Sequence, residues 1–461
     1  MHPWTANEDS RLSLWLHVRE FAVPASMIEA ATARRTVGDW AGACAAARVD
    51  VDLNPRAAAR THGQEIAARL RADLRHLAPD LLRWHMPRIA PDGLLRPGLT
   101  ISLARYQQTG GDGVHLVART PPAWADAGQR ISLALWDPAR SSAGHGPHPH
   151  PRPDRRFRLD LHRHLWDARR TGELRVRAGT DGPPADGHPG PDPEVPLARD
   201  CAVNRWAAEA GILLRAQGRA VGTVAVRLGA RKRLLIELST DPVALGHSTS
   251  RITAASGSTG HDSTLPVLPD AATWVLPDLA LLRAGLVEAD RLHPLVASAL
   301  VPGRPQADER RARDGGADPR LIECGGSQHR IGLVDGQLVP LDHDPAEIRR
   351  EELLAALGGT PMPCLRAIDE AHRHPEDLVD IRARLDHGDI DGALGAVEGL
   401  LGPGALLRGG ALRDALEMAA RGRIAHGLFR AGLAGDGKGP ATRTGPRPRD
   451  RRAHPRHATS R

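Results

Sequence analysis

The period of the apolar residues changes along this chain, and that change limits the possible folds more than any single motif. Up to about residue 88 the spacing is helical. Ile28 and Ala31 share a face, and Ile66, Leu70, Leu74 and Leu77 recur every three to four residues. Asn54-Pro55 supplies a cap followed by Pro at the first helical position. From about residue 94 the period drops to two. Leu99, Ile101 and Leu103 alternate with small or polar residues, as do Val114, Leu116 and Ala118, then Ile131, Leu133 and Leu135. Phe157, Leu159 and Leu161 read as a fourth strand. This is the alternation of half-buried antiparallel strands. A helix around Trp206, Ile212 and Leu213 and a hairpin over 221–238 follow, and the polar stretch 248–263 reads as a flexible connection.

Helical spacing returns over 270–301, and 303–319 has almost nothing to bury. Residues 320–343 predict a small β-meander turning at Asp335-Gly336. Asp344-Pro345-Ala346-Glu347 then reads as cap, first-position Pro and capping-box Glu. The sequence therefore predicts an α+β protein: a helical unit at 10–88, an antiparallel β domain with one helix at 94–255, and a helical connection at 270–301. A β-meander and helical bundle at 320–433 and a disordered basic tail at 434–461 complete it.

Charge refines the choice of partner. The net charge is +7, but residues 436–461 carry eight Lys/Arg against two Asp, so the rest of the chain is nearly neutral. Non-specific nucleic-acid binding is therefore an expectation for the tail alone. No run approaches a membrane span, and no signal peptide is evident, so a cytoplasmic protein is expected. Aromatic residues make up only 3%, and no Trp follows Trp274, so aliphatic residues must fill the C-terminal core.

Motifs for chemistry are sparse. The four cysteines, Cys44, Cys201, Cys324 and Cys364, lie at least forty residues apart and form no CxxC. No phosphate-cradling loop, GxSxG or HExxH occurs. His162 and His164, two apart on an expected strand, could share a metal. They lack an evident third ligand. A Cys324–His329 pair is geometrically possible across the turn at 325–328, and His343-Asp344 follows the meander. If the chain were an enzyme, Cys324, His329, His343 and Asp344 would be its catalytic set, in a metal-assisted hydrolase. Otherwise no catalytic residue and no cofactor is expected.

Gly38-Asp39-Trp40-Ala41-Gly42-Ala43 recurs as Gly388-Asp389-Ile390-Asp391-Gly392-Ala393. Gly permits a tight turn, Asp caps the next helix, and small residues let the pair approach. The first copy resembles the second half of a tetratricopeptide repeat, which implies helical hairpins stacked into a peptide-binding groove. The copies stand 350 residues apart, with no tandem array. Residues 157–169 (FRLDLHRHLWDAR), with 324–357, resemble uncharacterised proteins of high-GC actinobacteria over most of 20–433. That resemblance implies a family and carries no activity, cofactor or site; an AAA+ ATPase system of the MoxR type is a partner expectation that these residues do not themselves supply. The leading expectation is a non-enzymatic interaction or adaptor protein.

Overall fold

The computed structural model describes residues 3–108, 111–141, 148–180, 200–229, 232–240, 248–254, 265–302, 321–324, 326–334, 337–340, 342–357, 362–365, 376–401 and 411–433. The expected disordered tail and the turn at Asp335-Gly336 lie outside these. The chain is mixed α+β, as its periodicity predicts. Two compact units divide it: Met1–Ala123 with Arg130–Pro305, and Trp124–Gln129 with Gln306–Gly439.

The first unit opens with helices α1 (Pro3–Phe21), α2 (Ala25–Thr36) and α3 (Trp40–Ala46). Strand β1 (Val49–Val51) separates them from α4 (Pro55–His62), α5 (Gln64–His76) and α6 (Pro79–His85). Asn54 caps α4 by accepting from the Arg56 and Ala57 amides at 2.9 and 3.2 Å. On α5, Ile66, Leu70 and Leu74 are buried while Arg69, Arg71 and Arg75 are exposed. Each such buried side chain contributes about 1.5–3 kcal/mol.

A two-stranded pair, β2 (Arg88–Ile89) and β3 (Leu94–Leu95), precedes β4 (Thr100–Gln108), β5 (Gly111–Arg119) and β6 (Ile131–Trp136). The sheet order is β1-β6-β5-β4, antiparallel except for β1, which joins β6 in parallel. Helix α7 (Pro138–Ser141) follows β6. The N-terminal helices, this sheet and residues of 281–300 share one core, with Trp15, Leu70, Trp84, Ile101, Leu133, Trp166 and Val296 all nearly inaccessible.

Residues 157–161 are not the expected strand. Only an isolated bridge, Ser102 with Arg158, joins them to β4. Local bonds compete with a ladder here: Asp154 accepts from the Arg156 amide at 2.9 Å, Phe157 N donates to Asp154 O, and Leu161 N to Arg158 O. Helix α8 (Glu173–Ala178) follows.

A second core forms between α9 (Val203–Arg215) and the antiparallel sheet of β7 (Gly222–Arg227), β8 (Arg233–Thr240) and β9 (Ser248–Ala254). Trp206 is its centre, fully buried, with Nε1 donating to Thr273 O at 2.9 Å. Strand β9 lies where the sequence predicts a flexible connection. The backbone of β8 pairs with it over seven positions, which polar side chains do not prevent. Helices α10 (Asp270–Thr273), α11 (Pro277–Arg283) and α12 (Pro294–Leu300) complete the unit. Buried or half-buried ion pairs join distant segments within it: Arg11–Asp200 at 2.8 Å, Arg19–Asp278 at 2.8 Å and Arg177–Glu209 at 2.5 Å.

In the second unit, β10 (Leu321–Cys324), β11 (Ser327–Val334) and β12 (Gln337–Pro340) form the predicted meander, followed by α13 (Pro345–Ala356). One helical turn at 363–365 precedes α14 (Glu376–Asp386), α15 (Ile390–Leu401) and α16 (Ala411–Arg430). The core cluster among its described residues is small: Ile381, Leu385, Ala393 and Val397.

The Gly-Asp repeat forms the same turn twice. Gly38 and Gly388 have φ of +80° and +81°. Asp39 and Asp389 accept from the amides of Gly42 and Gly392, and pair with Arg34 and Arg384. Gly388 is further constrained, because an added Cβ would lie 2.4 Å from Gly128 O.

Candidate metal centre

Three segments of the second unit deliver sulfur and nitrogen donors to one point. Cys324 ends β10 opposite Ser327, and Ile322 lies opposite His329. Residues two apart on a strand point to one face, so Cys324 and His329 share a face of the hairpin. The third strand leads to His343, just before Asp344 turns the chain into α13. Cys364 sits on the helical turn after Pro363. One ligand atom each from Cys324, His343 and Cys364 lies within 4.8 Å of the others.

These donors are removed from water. Cys324 is 3% exposed, Cys364 is 0%, and the His343 side chain is 5%. The His343 ring has two distinct ends. Nδ1 lies 3.4 Å from Glu347 Oε2, one helical turn along α13, while Nε2 is buried with no hydrogen-bond partner. A proton on Nδ1 held toward the carboxylate leaves the Nε2 lone pair free, the arrangement that second-shell carboxylates impose on metal-ligating histidines. His329 stacks on His343 with ring centroids 3.9 Å apart, and its Nδ1 is also buried without a partner.

Burial and the adjacent Cys324 thiol, which hydrogen-bonds to it, push the Cys364 thiol up to about 12. Without a cation the Cys364 sulfur is therefore neutral at pH 7. A metal ion reverses this, since its charge deprotonates a coordinating thiol. Two thiolates and an imidazole suit zinc, or another thiophilic transition metal, and not magnesium or calcium, which take oxygen.

Asp344, predicted as a catalytic candidate, has a different position. Its Oδ1 accepts from the Ala346 amide at 2.9 Å, its carbonyl accepts from Glu347 and Ile348, and it is exposed. That makes it the α13 cap. Cys364 went unrecognised in the sequence because forty residues separate it from Cys324 and no metal motif has that spacing. The other cysteines, Cys44 and Cys201, are buried in the first unit.

His162 and His164 also depart from expectation. They flank Arg163 at a 3-10 turn, not on a strand, and their ring centroids are 5.7 Å apart. His162 Nδ1 lies 3.0 Å from Arg158 O, and Nε2 lies 3.2 Å from Glu209 Oε2. Both nitrogens of His162 therefore face protein oxygens. Arg177 completes a fork on Glu209 at 2.5 and 2.6 Å. Burial raises a carboxyl, but the nearby His162 imidazole and the Arg177 hydrogen bonds outweigh it and hold Glu209 down at about 2. Burial, then the charges of His162 and Arg177, drive His164 well below the usual histidine range. This cluster is a buried polar joint between the 3-10 turn, α8 and α9.

Among the described residues no helix is long and apolar enough to cross a membrane. No known protein family matches the chain, and no curated protein or solved structure is similar to it.

Proposed function

We propose that the second unit binds one zinc ion through Cys324, His343 and Cys364, and that the protein is a metal-organised interaction protein, not an enzyme. One observation carries this reading: two buried thiols and a buried imidazole from three chain segments converge within 4.8 Å. The core cluster among the described residues of this unit is small, and a structural metal would cross-link the segments around it. Thiolate ligands require a reducing compartment, which supports a cytoplasmic protein.

Part of the predicted hydrolase set is committed elsewhere, since Asp344 caps α13. The interaction half of the reading rests on apolar side chains left in water. Leu353, Leu354 and Leu357 at the end of α13 are 61%, 52% and 85% exposed, and Ile424 on α16 is 66%. Contiguous exposed apolar residues mark contact surfaces. A protein is the partner class proposed, an AAA+ ATPase first, with the Gly-Asp hairpins as tetratricopeptide-like scaffolding.

Metal analysis of the full chain, purified without chelators, tests the reading. One zinc per chain is expected, falling to background in Cys364→Ser and in His343→Ala. A wild-type chain that takes up no zinc on reconstitution, or variants that keep it, would refute the proposal. Native co-purification tests the partner separately.

A further inference from the structure

We infer that His329 is the fourth ligand of this centre, closing it into a Cys2His2 site whose role is structural. The inference rests on the zinc reading above and adds the coordination number, which decides what the metal can do. A site with three protein ligands keeps a position open for water or substrate, whereas four close it.

Three observations place His329 in the set. The β10–β11 register puts it on the same face as Cys324, one diagonal step away across the hairpin. Its ring already lies against His343, at 3.9 Å between centroids and 14° between planes. Its Nδ1 is buried with no hydrogen-bond partner, although buried imidazole nitrogens ordinarily find one. Two such nitrogens, His329 Nδ1 and His343 Nε2, thus sit on stacked rings; His343 lies within 4.8 Å of the two buried sulfurs, and His329 stands just outside that set.

The spacing also suits a tetrahedral ion. Ligand atoms on tetrahedral zinc stand about 3.3–3.8 Å apart, given Zn–N near 2.0 Å and Zn–S near 2.3 Å. The three donors within 4.8 Å need draw in by only about 1 Å. Two imidazoles on one ion diverge from it, so metal binding turns the stacked rings apart. The hairpin then supplies one pair, Cys324 and His329. The segment flanking α13 supplies the other, His343 and Cys364. A metal held so ties the meander to the chain on both sides of that helix. No open position remains for an activated water.

The test uses the full chain, stripped of metal under reductant and titrated with Co²⁺, then Zn²⁺. Wild type should show a thiolate-to-cobalt charge-transfer band and the intense visible absorption of four-coordinate tetrahedral cobalt, both abolished by Zn²⁺. His329→Ala should weaken binding by about a hundredfold or more, given that losing even an outer-shell partner costs about 10–100-fold. Its visible band should weaken and shift as water enters, and added imidazole should restore it. His329→Cys should bind tightly and raise the charge-transfer intensity by about half, for three thiolates in place of two. If His329→Ala matches wild type in affinity and spectrum, His329 is no ligand, while the three-ligand zinc site stands. If the wild type binds neither Co²⁺ nor Zn²⁺, the zinc reading falls and this inference with it. Should His329→Ala fail to fold, His329→Cys decides: charge-transfer intensity unchanged from wild type would overturn the assignment.

Discussion

Replacing Glu209 by Gln removes a buried charge without changing its shape, and the cost follows from the structure by two routes. Glu209 is 3% exposed and holds Arg177 by two hydrogen bonds at 2.5 and 2.6 Å, with His162 at 3.2 Å. Breaking a buried pair and leaving its partner uncompensated costs about 3–5 kcal/mol. Linkage gives a similar figure. A carboxyl held from 4.5 down to about 2 on folding contributes roughly 3 kcal/mol at neutral pH, at about 1.4 kcal/mol per pH unit. Because the folded value is depressed, that contribution is complete above pH 4.5 and is lost as pH falls through about 2. Denaturant unfolding of the wild type and Glu209→Gln, followed by tryptophan emission, measures it. The buried Trp15, Trp84, Trp166, Trp206 and Trp274 all lie in the first unit, so the signal reports the unit that holds Glu209. The expected gap is about 3 kcal/mol at pH 7, closing toward zero near pH 2. A gap under about 1 kcal/mol, or one that does not narrow in acid, would refute the reasoning and make the cluster a near-neutral ion pair.

Other substitutions separate further effects. Asp278→Asn should cost about 3–5 kcal/mol, because fully buried Asp278 accepts from Arg19 and from Trp84 Nε1; Asp39→Ala, which removes one helix cap, should cost only about 1 kcal/mol in the same unfolding assay. Gly38→Ala meets open space and should lose only the left-handed penalty of about 1–2 kcal/mol, whereas Gly388→Ala also drives its Cβ to 2.4 Å from Gly128 O and should lose more; equal losses by thermal unfolding would contradict the close approach. Because both thiols are buried, they should label with iodoacetamide only when the unit opens in mild denaturant; zinc should slow that labelling of Cys324 and Cys364 and chelation should speed it, and equal rates by mass spectrometry would count against metal ligation.

Much of the local structure was legible in the sequence because it depends on nearby residues. Asn54-Pro55 and Asp344-Pro345 cap helices through side chains two or three residues from the amides they satisfy. The Gly-Asp repeat forms its turn in both places, since a positive φ and an Asp cap are local demands. Alternation over 99–135 gave real strands because its larger apolar side chains pack into the main core and the period of two is imposed by the pleat. Strand β9 was hidden for the converse reason: its partner is the β8 backbone, which selects no particular side chain.

Cys324, His329 and His343 were already candidates in the sequence, but which donors meet was decided by tertiary structure. Residues 157–161 alternate like a strand, yet local turn bonds stop them, and His162 leaves a presumed shared face to meet Glu209 on α9. Cys364 joins Cys324 only because α13 intervenes and the chain returns to the meander. Spacing along the chain encodes periods and caps, whose physics acts within a few residues. It does not encode which donors converge from segments twenty or forty residues apart, because packing brings them together.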